Sequence, residues 1–187
     1  MIKKALLHTA LGIAGSLFIS TAMAADFQLS SPSIKPNSTL TADQVFNGFG
    51  CTGKNISPEL VWSNAPAGTK SFALTVYDPD APTGSGWWHW VAYNIPASTT
   101  KIAAGAGTVD GKNLPAGTEQ GRTDFGSTGF GGACPPVGDK PHRYIFTLHA
   151  LSTDKLEIPE GATAALVGYM INANRIGQTS FTAYYGR

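Results

Sequence analysis

The sequence predicts a single, mainly β domain, and three observations carry that prediction. Glycine and proline are abundant, with 22 and 12 of the 187 residues, as is typical of a chain with many turns and loops. Short runs of β-branched and aromatic residues recur along the chain and are bounded by proline or aspartate. The hydrophobic content of 42% excludes a disordered chain, and the length suits one domain with a substantial core.

Four segments have the composition of strands, because they combine aromatic and β-branched residues. They are residues 71–77, 87–95, 143–151 and 179–185. The first two are apolar on both faces, which predicts central strands that are covered on both sides. Residues 162–175 place apolar side chains at helical spacing and predict one helix.

A long glycine-rich segment separates the second and third predicted strands. Residues 105–134 contain nine glycines and show little periodicity, which predicts an extended loop region. Loops of this length within a compact domain usually have a function. The chain has no internal repeat, charge run or linker that would divide it further, so residues 25–187 are predicted to form one domain.

The N-terminus has the layout of a secretory signal peptide. Lys3 and Lys4 precede an apolar stretch at 10–19, and small residues follow up to Ala24. The apolar stretch is shorter than the roughly 20 residues that span a bilayer, which disfavours a membrane anchor. We therefore expect cleavage after Ala24 and export to the periplasm, with release from the cell as an alternative.

The charge balance argues against two classes of partner, nucleic acid and an anionic membrane surface. Thirteen basic residues against 12 acidic ones give a net charge of +1, and removal of Lys3 and Lys4 leaves 11 basic residues and a net charge of −1. Nucleic-acid binding needs a basic excess or a basic stripe, and the sequence has neither. No second segment has the length of a membrane span.

Cys51 and Cys134 are the only cysteines, and export favours a disulfide between them. A metal site would need clustered cysteines and histidines, which neither cysteine has nearby. A catalytic thiol with a histidine partner stays open as an alternative. We predict a disulfide, no metal and no cofactor.

Familiar catalytic motifs are absent or stand in the wrong context. The chain has no Gly-x-Ser-x-Gly elbow and no P-loop. Residues 48–53 fit Gly-x-Gly-x-x-Gly, but the turn-forming residues and proline at 54–58 argue against the helix that a dinucleotide site requires. We interpret this match as a coincidence.

Polar side chains at predicted strand ends are the candidates for function. Asp78 and Asp80 lie in a turn that two prolines stiffen. Strand alternation places His142 on one face with Tyr144, and His149 on the other face, where a structural role is expected. Two histidines, a tyrosine and a carboxylate suit an anion such as phosphate, and they also suit acid–base chemistry, although no nucleophile accompanies them.

His89 lies in an aromatic run, and its environment is harder to assign. Alternation predicts that it shares a face with Trp87 and Val91, while Trp88 and Trp90 point the other way. A histidine in an aromatic strand is commonly a hydrogen-bonded core residue. The nearby aspartates and glycine-rich loop make a ligand-binding role an equal alternative.

Four segments together resemble the phosphatidylethanolamine-binding protein family, which includes the Raf kinase inhibitor proteins, and its bacterial branch in particular. They are Asn55-Ile56-Ser57-Pro58 leading to Trp62, Asp78-Pro79-Asp80-Ala81-Pro82, Trp87-Trp88-His89-Trp90, and Pro135-Pro136 with His142-Arg143-Tyr144. The resemblance covers residues 27–184, almost all of the predicted mature chain. One departure from eukaryotic members is Lys140-Pro141, where they usually have glycine two residues before the histidine.

The resemblance implies a large Greek-key antiparallel sheet, a second smaller sheet and few short helices. It also implies a small pocket at one end of the large sheet for phosphate or a phosphoethanolamine-like head group. The implied pocket residues are Asp78, His89, Pro135, Pro136, His142 and Tyr144, with Trp87 as a wall.

The function expected on this basis is binding without catalysis. An inhibitor or signalling protein that acts through protein contacts is the main alternative, and a hydrolase that uses Asp78 and His89 is the third. The sequence does not identify the protein target, and it leaves the oligomeric state open, with a homodimer among the alternatives.

Overall fold

The computed structural model describes residues 25–187. The predicted signal peptide, residues 1–24, lies outside the described residues. Within 25–187, no helix has the length and apolar character needed to cross a membrane.

The described part of the chain contains ten strands and one helix. They are β1 (Gln28–Ser30), β2 (Asn47–Gly48), β3 (Cys51–Thr52), β4 (Leu60–Ser63), β5 (Ser71–Asp78), β6 (Trp87–Pro96), β7 (Lys101–Ile102), β8 (Glu119–Gln120), β9 (His142–Leu151), α1 (Ala164–Asn174) and β10 (Arg175–Tyr185). The four predicted strands correspond to β5, β6, β9 and the second half of β10, and the predicted helix is α1. Of the glycine-rich segment, only the two residues of β8 join a sheet.

The large sheet has the predicted Greek-key topology. Its strand order is β10-β9-β5-β6-β8, and all pairings are antiparallel. The strands β5, β6 and β8 lie side by side, with β7 between β6 and β8 in the chain but in the small sheet. β9 then returns to pair with β5, which is the Greek-key arrangement. A smaller sheet has the order β1-β4-β7, and β2 pairs with β3 as a separate hairpin.

The main core lies between the two sheets. Trp62 and Ile102 of the small sheet pack with Leu74 and Phe146 of the large sheet, and all four are buried. This sheet-on-sheet packing explains why β5 is apolar on both faces: one face meets the small sheet, and the other meets the helix.

The helix covers the opposite face of the large sheet. Val167 and Ile171 of α1 lie in a second buried cluster with Ala73 and Val91 of the sheet. The Thr163 side chain caps the helix by accepting a hydrogen bond from the Leu166 amide at 3.2 Å. The fold therefore has three layers, with the large sheet in the middle.

Strand β6 contains an irregularity that the alternation pattern did not predict. Trp88 pairs with Tyr77 and Trp90 pairs with Val76, so His89 between them has no partner on β5. An extra residue of this kind is a β-bulge, and it shifts the side chains that follow it to the opposite face as far as a second register shift, between Ala92 and Ile95.

The bulge corrects the predicted faces of the aromatic run. Trp90 joins the main core between the sheets, whereas Trp88 and Val91 join the cluster beneath the helix. The prediction that Trp88 and Trp90 share a face was therefore wrong, as was the pairing of Val91 with His89. Trp87 and His89 do line the same cavity.

Candidate ligand-binding site

A cavity of about 160 Å³ lies at one edge of the large sheet. β5 ends there with Asp78, while β6 and β9 begin there with Trp87 and His142. Because these neighbouring strands are antiparallel, the end of one meets the beginnings of the other two. The structure brings all seven predicted residues around this cavity: Asp78, Trp87, His89, Pro135, Pro136, His142 and Tyr144.

Asp78 and His142 form a buried hydrogen-bonded pair. The Asp78 carboxylate accepts from Nδ1 of His142 at 2.7 Å and, through its other oxygen, from the Asp80 amide at 2.8 Å. On the far side of the ring, Nε2 of His142 lies 3.4 Å from the Asp139 carboxylate. These contacts fix the orientation of the imidazole and use both carboxylate oxygens of Asp78.

Asp80 faces away from the pair and binds an arginine. Its carboxylate accepts from the guanidinium of Arg143 at 2.6 and 2.9 Å and from the Arg143 amide at 2.9 Å. These hydrogen bonds lower the pKa of Asp80 to about 2. Asp80 therefore ties the turn after β5 to the start of β9 and holds Asp78 opposite His142.

His89 is buried and has a defined tautomer. Its Nδ1 lies 2.8 Å from the Gly131 carbonyl oxygen, which can only accept, so Nδ1 carries a proton. Burial lowers the pKa of His89, and the ring is neutral near pH 7 with a lone pair on Nε2. The imidazole lies edge-on to the Tyr144 ring, with 5.0 Å between centroids.

The Gly131 carbonyl is held in place by Asn55. The Asn55 side chain donates to the Phe130 carbonyl at 3.1 Å and accepts from the Gly132 amide at 2.7 Å. Gly131 also allows close packing, because a Cβ there would lie 2.3 Å from the Phe125 ring. The asparagine of the first family-like segment thus positions His89 from outside the cavity.

Two buried hydrogen-bond donors of the cavity residues are unused. The Tyr144 hydroxyl and the Trp87 indole nitrogen have no partner among residues 25–187. Burial raises the pKa of Tyr144, so its hydroxyl keeps its proton. Unpaired buried donors cost stability, and a ligand or water that accepts from them offsets this cost.

The predicted disulfide between Cys51 and Cys134, which are 83 positions apart, is present and stabilises the rim of the cavity near Phe49 and Pro135. The disulfide joins the β2–β3 hairpin to the segment that continues into Pro135 and Pro136. Arg187 adds a second connection, because its guanidinium donates to the carbonyls of Pro135 at 2.7 Å and Gly50 at 2.9 Å.

The comparison with known families agrees with this geometry. The sequence model described as phosphatidylethanolamine-binding protein matches residues 30–186. The chain belongs to this family.

Two Escherichia coli proteins, both named as UPF0098 proteins, are similar to this chain over most of its length. YbcL is 58% identical over 165 residues, which cover 88% of this chain and 90% of YbcL. YbhB is 49% identical over 158 residues, which cover 84% of this chain and 99% of YbhB. The crystal structure of E. coli YbcL, described as a member of the mammalian PEBP family, matches with a TM-score of 0.85 and 57% identity over 87% of this chain and 99% of that one.

Sequence reasoning missed the aromatic wall of the cavity in this family member. Phe49 and Phe125 both line it, and Phe125 lies against Trp87 with 5.4 Å between ring centroids. Phe125 lies in the glycine-rich segment, which has no periodicity to mark it. Phe49 lies between two glycines in the Gly-x-Gly-x-x-Gly match, which forms the β2–β3 hairpin and opens no helix. The sequence signal that could have located Phe49 is its position between Gly48 and Gly50, which is typical of an exposed turn.

The cavity residues offer no activated nucleophile. The Cys134 sulfur is in the disulfide, and the Thr83 hydroxyl donates to the Gly86 carbonyl. What the cavity provides is a set of oriented hydrogen-bonding groups within an apolar wall.

His149, expected to be structural, lies on the other face of the sheet beneath the helix, where its Nε2 is 3.3 Å from the Thr75 hydroxyl.

Proposed function

We propose that this family member is an exported, non-enzymatic binding protein whose cavity takes a small anionic group, either phosphate or a phosphoethanolamine-like head group. The observation that carries the proposal is the pair of unused buried donors, the Tyr144 hydroxyl and the Trp87 indole N–H, at a cavity that the Asp78–His142 pair also lines. Oxyanions supply the acceptors that these donors lack.

The size of the cavity supports a head group rather than a whole lipid. Its volume is about 160 Å³, whereas pockets for drug-sized ligands occupy about 300–1,000 Å³. Phosphate and its small esters have few heavy atoms and fit the smaller space. A longer substituent would extend past the rim at Phe49 into solvent.

The chemistry supports binding rather than hydrolysis. Both oxygens of the Asp78 carboxylate are already hydrogen-bonded, and the lining residues include no free thiol and no serine. A hydrolase that uses Asp78 and His89 would need one of them to activate water. Activation of water would fall mainly to the Nε2 lone pair of His89, whose Nδ1 donates to the Gly131 carbonyl.

Export is supported by the leader-like residues 1–24 and by one relative. A Mycobacterium tuberculosis protein whose name assigns it to the lipoproteins is 38% identical over 130 residues. The disulfide also suits an oxidising compartment. Mass spectrometry of the protein purified from the periplasm should find Ala25 at the N-terminus; an intact Met1 would contradict export with cleavage.

A second candidate, action through protein contacts, is favoured by the exposed rim. Phe49 and Val137 expose 69% and 76% of their surfaces beside the cavity mouth. Exposed apolar side chains around a pocket are common at protein interaction sites. If variants that lose anion binding kept full activity on a partner protein, this candidate would replace the first.

The anion proposal is tested by calorimetry and by NMR of the histidine rings, with phosphate and phosphoethanolamine as probes. Tyr144→Phe removes one hydroxyl and keeps the ring, so we expect affinity to fall roughly five- to tenfold, as for one lost hydrogen bond. His142→Ala should weaken binding further. Val109→Ala, at an exposed position outside the cavity, is the control and should bind normally. If neither probe shifts the His89 and His142 resonances, the proposal fails.

A further inference from the structure

A groove of about 260 Å³ lies on the other face of the large sheet, between the sheet and α1. Its floor includes Thr75 of β5 and Thr147 and His149 of β9. Asn172 of α1 and Gln178 of β10 also line it, and because both are exposed they mark its mouth. We call this space the helix-side groove.

His149 has one ring nitrogen that is buried without a partner. The residue exposes 8% of its surface, and its Nε2 lies 3.3 Å from the Thr75 hydroxyl. Its Nδ1 is buried and has no hydrogen-bond partner among residues 25–187. In one tautomer Nδ1 carries a proton that needs an acceptor, and in the other it carries a lone pair that needs a donor. A buried polar atom without a partner costs stability, so a molecule that pairs with Nδ1 stabilises the protein.

Aromatic and apolar side chains form the rest of the helix-side groove. The rings of Tyr77 and Trp88 lie together with 4.6 Å between their centroids, and Ile145 and Ile171 line the groove as well. A buried apolar cavity of about 150 Å³ is large enough to hold benzene. The helix-side groove therefore has room for one aromatic ring with a small substituent.

Gly168 preserves the volume of the helix-side groove. It lies in the interior of α1, where glycine destabilises a helix relative to alanine. A Cβ at this position would lie 3.9 Å from the Trp88 ring, which is an ordinary contact, so packing does not require glycine. A longer side chain would extend into the space that a ligand needs.

The lining of the helix-side groove carries no formal charge near pH 7. Among residues 25–187, those that line it include no lysine, arginine, aspartate or glutamate. Burial, with a contribution from Arg175, lowers the pKa of His149 to about 4, so its ring is neutral. Arg175 is exposed and donates to Gln178 at the mouth. A charged group inside the groove would lose its hydration without an opposite charge beside it.

We infer that the helix-side groove is a second binding site, and that it takes an uncharged molecule with one aromatic ring and a hydroxyl group, of the phenol class. The ring packs against Tyr77 and Trp88, and the hydroxyl bonds to Nδ1 of His149. A hydroxyl both donates and accepts, so it pairs with either tautomer. This inference goes beyond the proposed function and does not rest on it, because the two sites share none of the described residues.

An NMR titration of the mature protein with phenol, toluene and benzoate tests the site and its chemistry. Phenol should shift the signals of the Gly168 amide and the His149 ring. It should bind roughly tenfold more tightly than toluene, which leaves Nδ1 without a partner. Benzoate is charged and should bind weaker than phenol by about tenfold or more. Excess phosphate, the probe of the other cavity, should not displace phenol.

Two substitutions test the volume of the groove and the nitrogen separately. Gly168→Leu fills the groove and should lower phenol affinity about tenfold or more, while the stronger helix propensity of leucine keeps α1 folded. Ala165→Leu, at an exposed position of the same helix, is the matched control and should bind normally. His149→Phe keeps a planar ring without nitrogen, so the advantage of phenol over toluene should disappear. Thermal denaturation checks that each variant is folded.

Each contrary result overturns the inference. If phenol does not bind at millimolar concentration, the second site is wrong and water satisfies Nδ1. If benzoate binds as tightly as phenol, Arg175 recruits an acid and the uncharged class is wrong. If Gly168→Leu binds phenol like wild type, or phosphate displaces phenol, then phenol occupies another place. None of these results contradicts the anion site, which phosphate and phosphoethanolamine test separately.

Discussion

Asp78 and Asp80 are two residues apart and have different roles, because their side chains meet different partners. Asp78 is buried and accepts from the His142 ring, while Asp80 is partly exposed and accepts from Arg143. The first contact orients a side chain of the cavity. The second joins the turn to β9 and so sets the position of the first.

Asp80→Asn should lower the free energy of unfolding by about 1 kcal/mol at pH 7, because it replaces a charge-assisted contact with a neutral one at a partly exposed site. The pKa of Asp80 is lowered to about 2 in the folded protein, so the stabilisation is present above about pH 4, the unfolded value. It is lost as the pH falls toward 2. Urea denaturation at several pH values measures it.

The matched control is Asp43→Asn, which removes a contact to Lys54 at an exposed site outside the cavity. Asp43→Asn should change stability by less than Asp80→Asn. A stability difference between wild type and Asp80→Asn that stays constant from pH 7 down to pH 2 would show that the charge of Asp80 is not responsible.

Sequence reasoning found the polar residues of the cavity because each stands in a recognisable segment. The motif around Asp78 and the Pro135-Pro136 pair could be located without coordinates. Asn55 also stands in such a segment, but its role could not be predicted, since its partners Phe130 and Gly132 are 75 and 77 positions away. A contact over that distance along the chain follows from the fold and from no local pattern.

The β2–β3 hairpin is an element too short to be stable alone, since each strand has two residues. It is held by the disulfide, by a bridge between Val45 and Ala133, and by Arg187. Phe49 at its tip forms part of the cavity wall. The hairpin therefore depends on its covalent and hydrogen-bonded connections to keep that wall in place.

Replacing Cys51 and Cys134 with serine should lower the free energy of unfolding by about 2–4 kcal/mol, because the disulfide closes a long loop in the unfolded chain. Anion affinity should also fall, since Phe49 loses its fixed position. Chemical denaturation and calorimetry measure the two effects. Wild-type protein treated with a reductant is the control and should match the double variant.

A thiol assay provides an independent check on the same element. The unfolded, unreduced mature protein should contain no reactive thiol. If the assay detects free cysteine in wild type, or if the double variant is as stable as wild type, the hairpin is held by its other contacts alone.

The strands β5, β6 and β9 were predicted within one residue at each end, because composition and flanking prolines mark them clearly. The bulge in β6 was not predicted, and the faces assigned to Trp88 and Trp90 were wrong as a result. Nothing in the local sequence separates a regular strand from one with an extra residue. The bulge is a property of the pairing between β5 and β6.

At the scale of the whole molecule, buried histidines lie on both sides of the middle layer formed by the described residues. His89 lies on the side of the cavity, and His149 lies beneath the helix. Burial lowers the pKa of each, and for His149 the value is about 4, with a further contribution from Arg175. The folded protein therefore resists protonation at positions that the unfolded chain protonates near pH 6.5.

The stability of the protein should consequently decrease as the pH falls from about 6.5 toward 4. Below pH 6.5 the unfolded state binds protons that the folded state excludes, which favours unfolding. For His149 alone the loss reaches about 3 kcal/mol at pH 4. His149→Gln should flatten this dependence, as measured by thermal or urea denaturation across that pH range.

His89 contributes to the same pH range, so His149→Gln should flatten the curve in part and not abolish it. Val109→Ala should keep the wild-type pH dependence. A His149→Gln curve parallel to that of wild type would mean that His149 titrates normally in the folded protein.

At this largest scale, the three-layer arrangement was only partly predictable. The apolar faces of β5 and β6 indicated a covered sheet, and the family resemblance implied two sheets. The small sheet uses strands of two to four residues, β4 and β7 among them, which are too short for a periodic signal. Their positions follow from pairing and packing over long distances.

The order of the strands also has a consequence for folding. Asp78 and His142 are separated by 64 positions, and β9 lies outside the ring closed by Cys51 and Cys134. The disulfide can therefore form before β9 docks between β5 and β10, while His142 and Tyr144 are still missing from the cavity. Contacts between distant segments form late because loop closure is costly. The number of ligand-binding sites per molecule thus reports the fraction of molecules that have finished folding, which disulfide content alone does not.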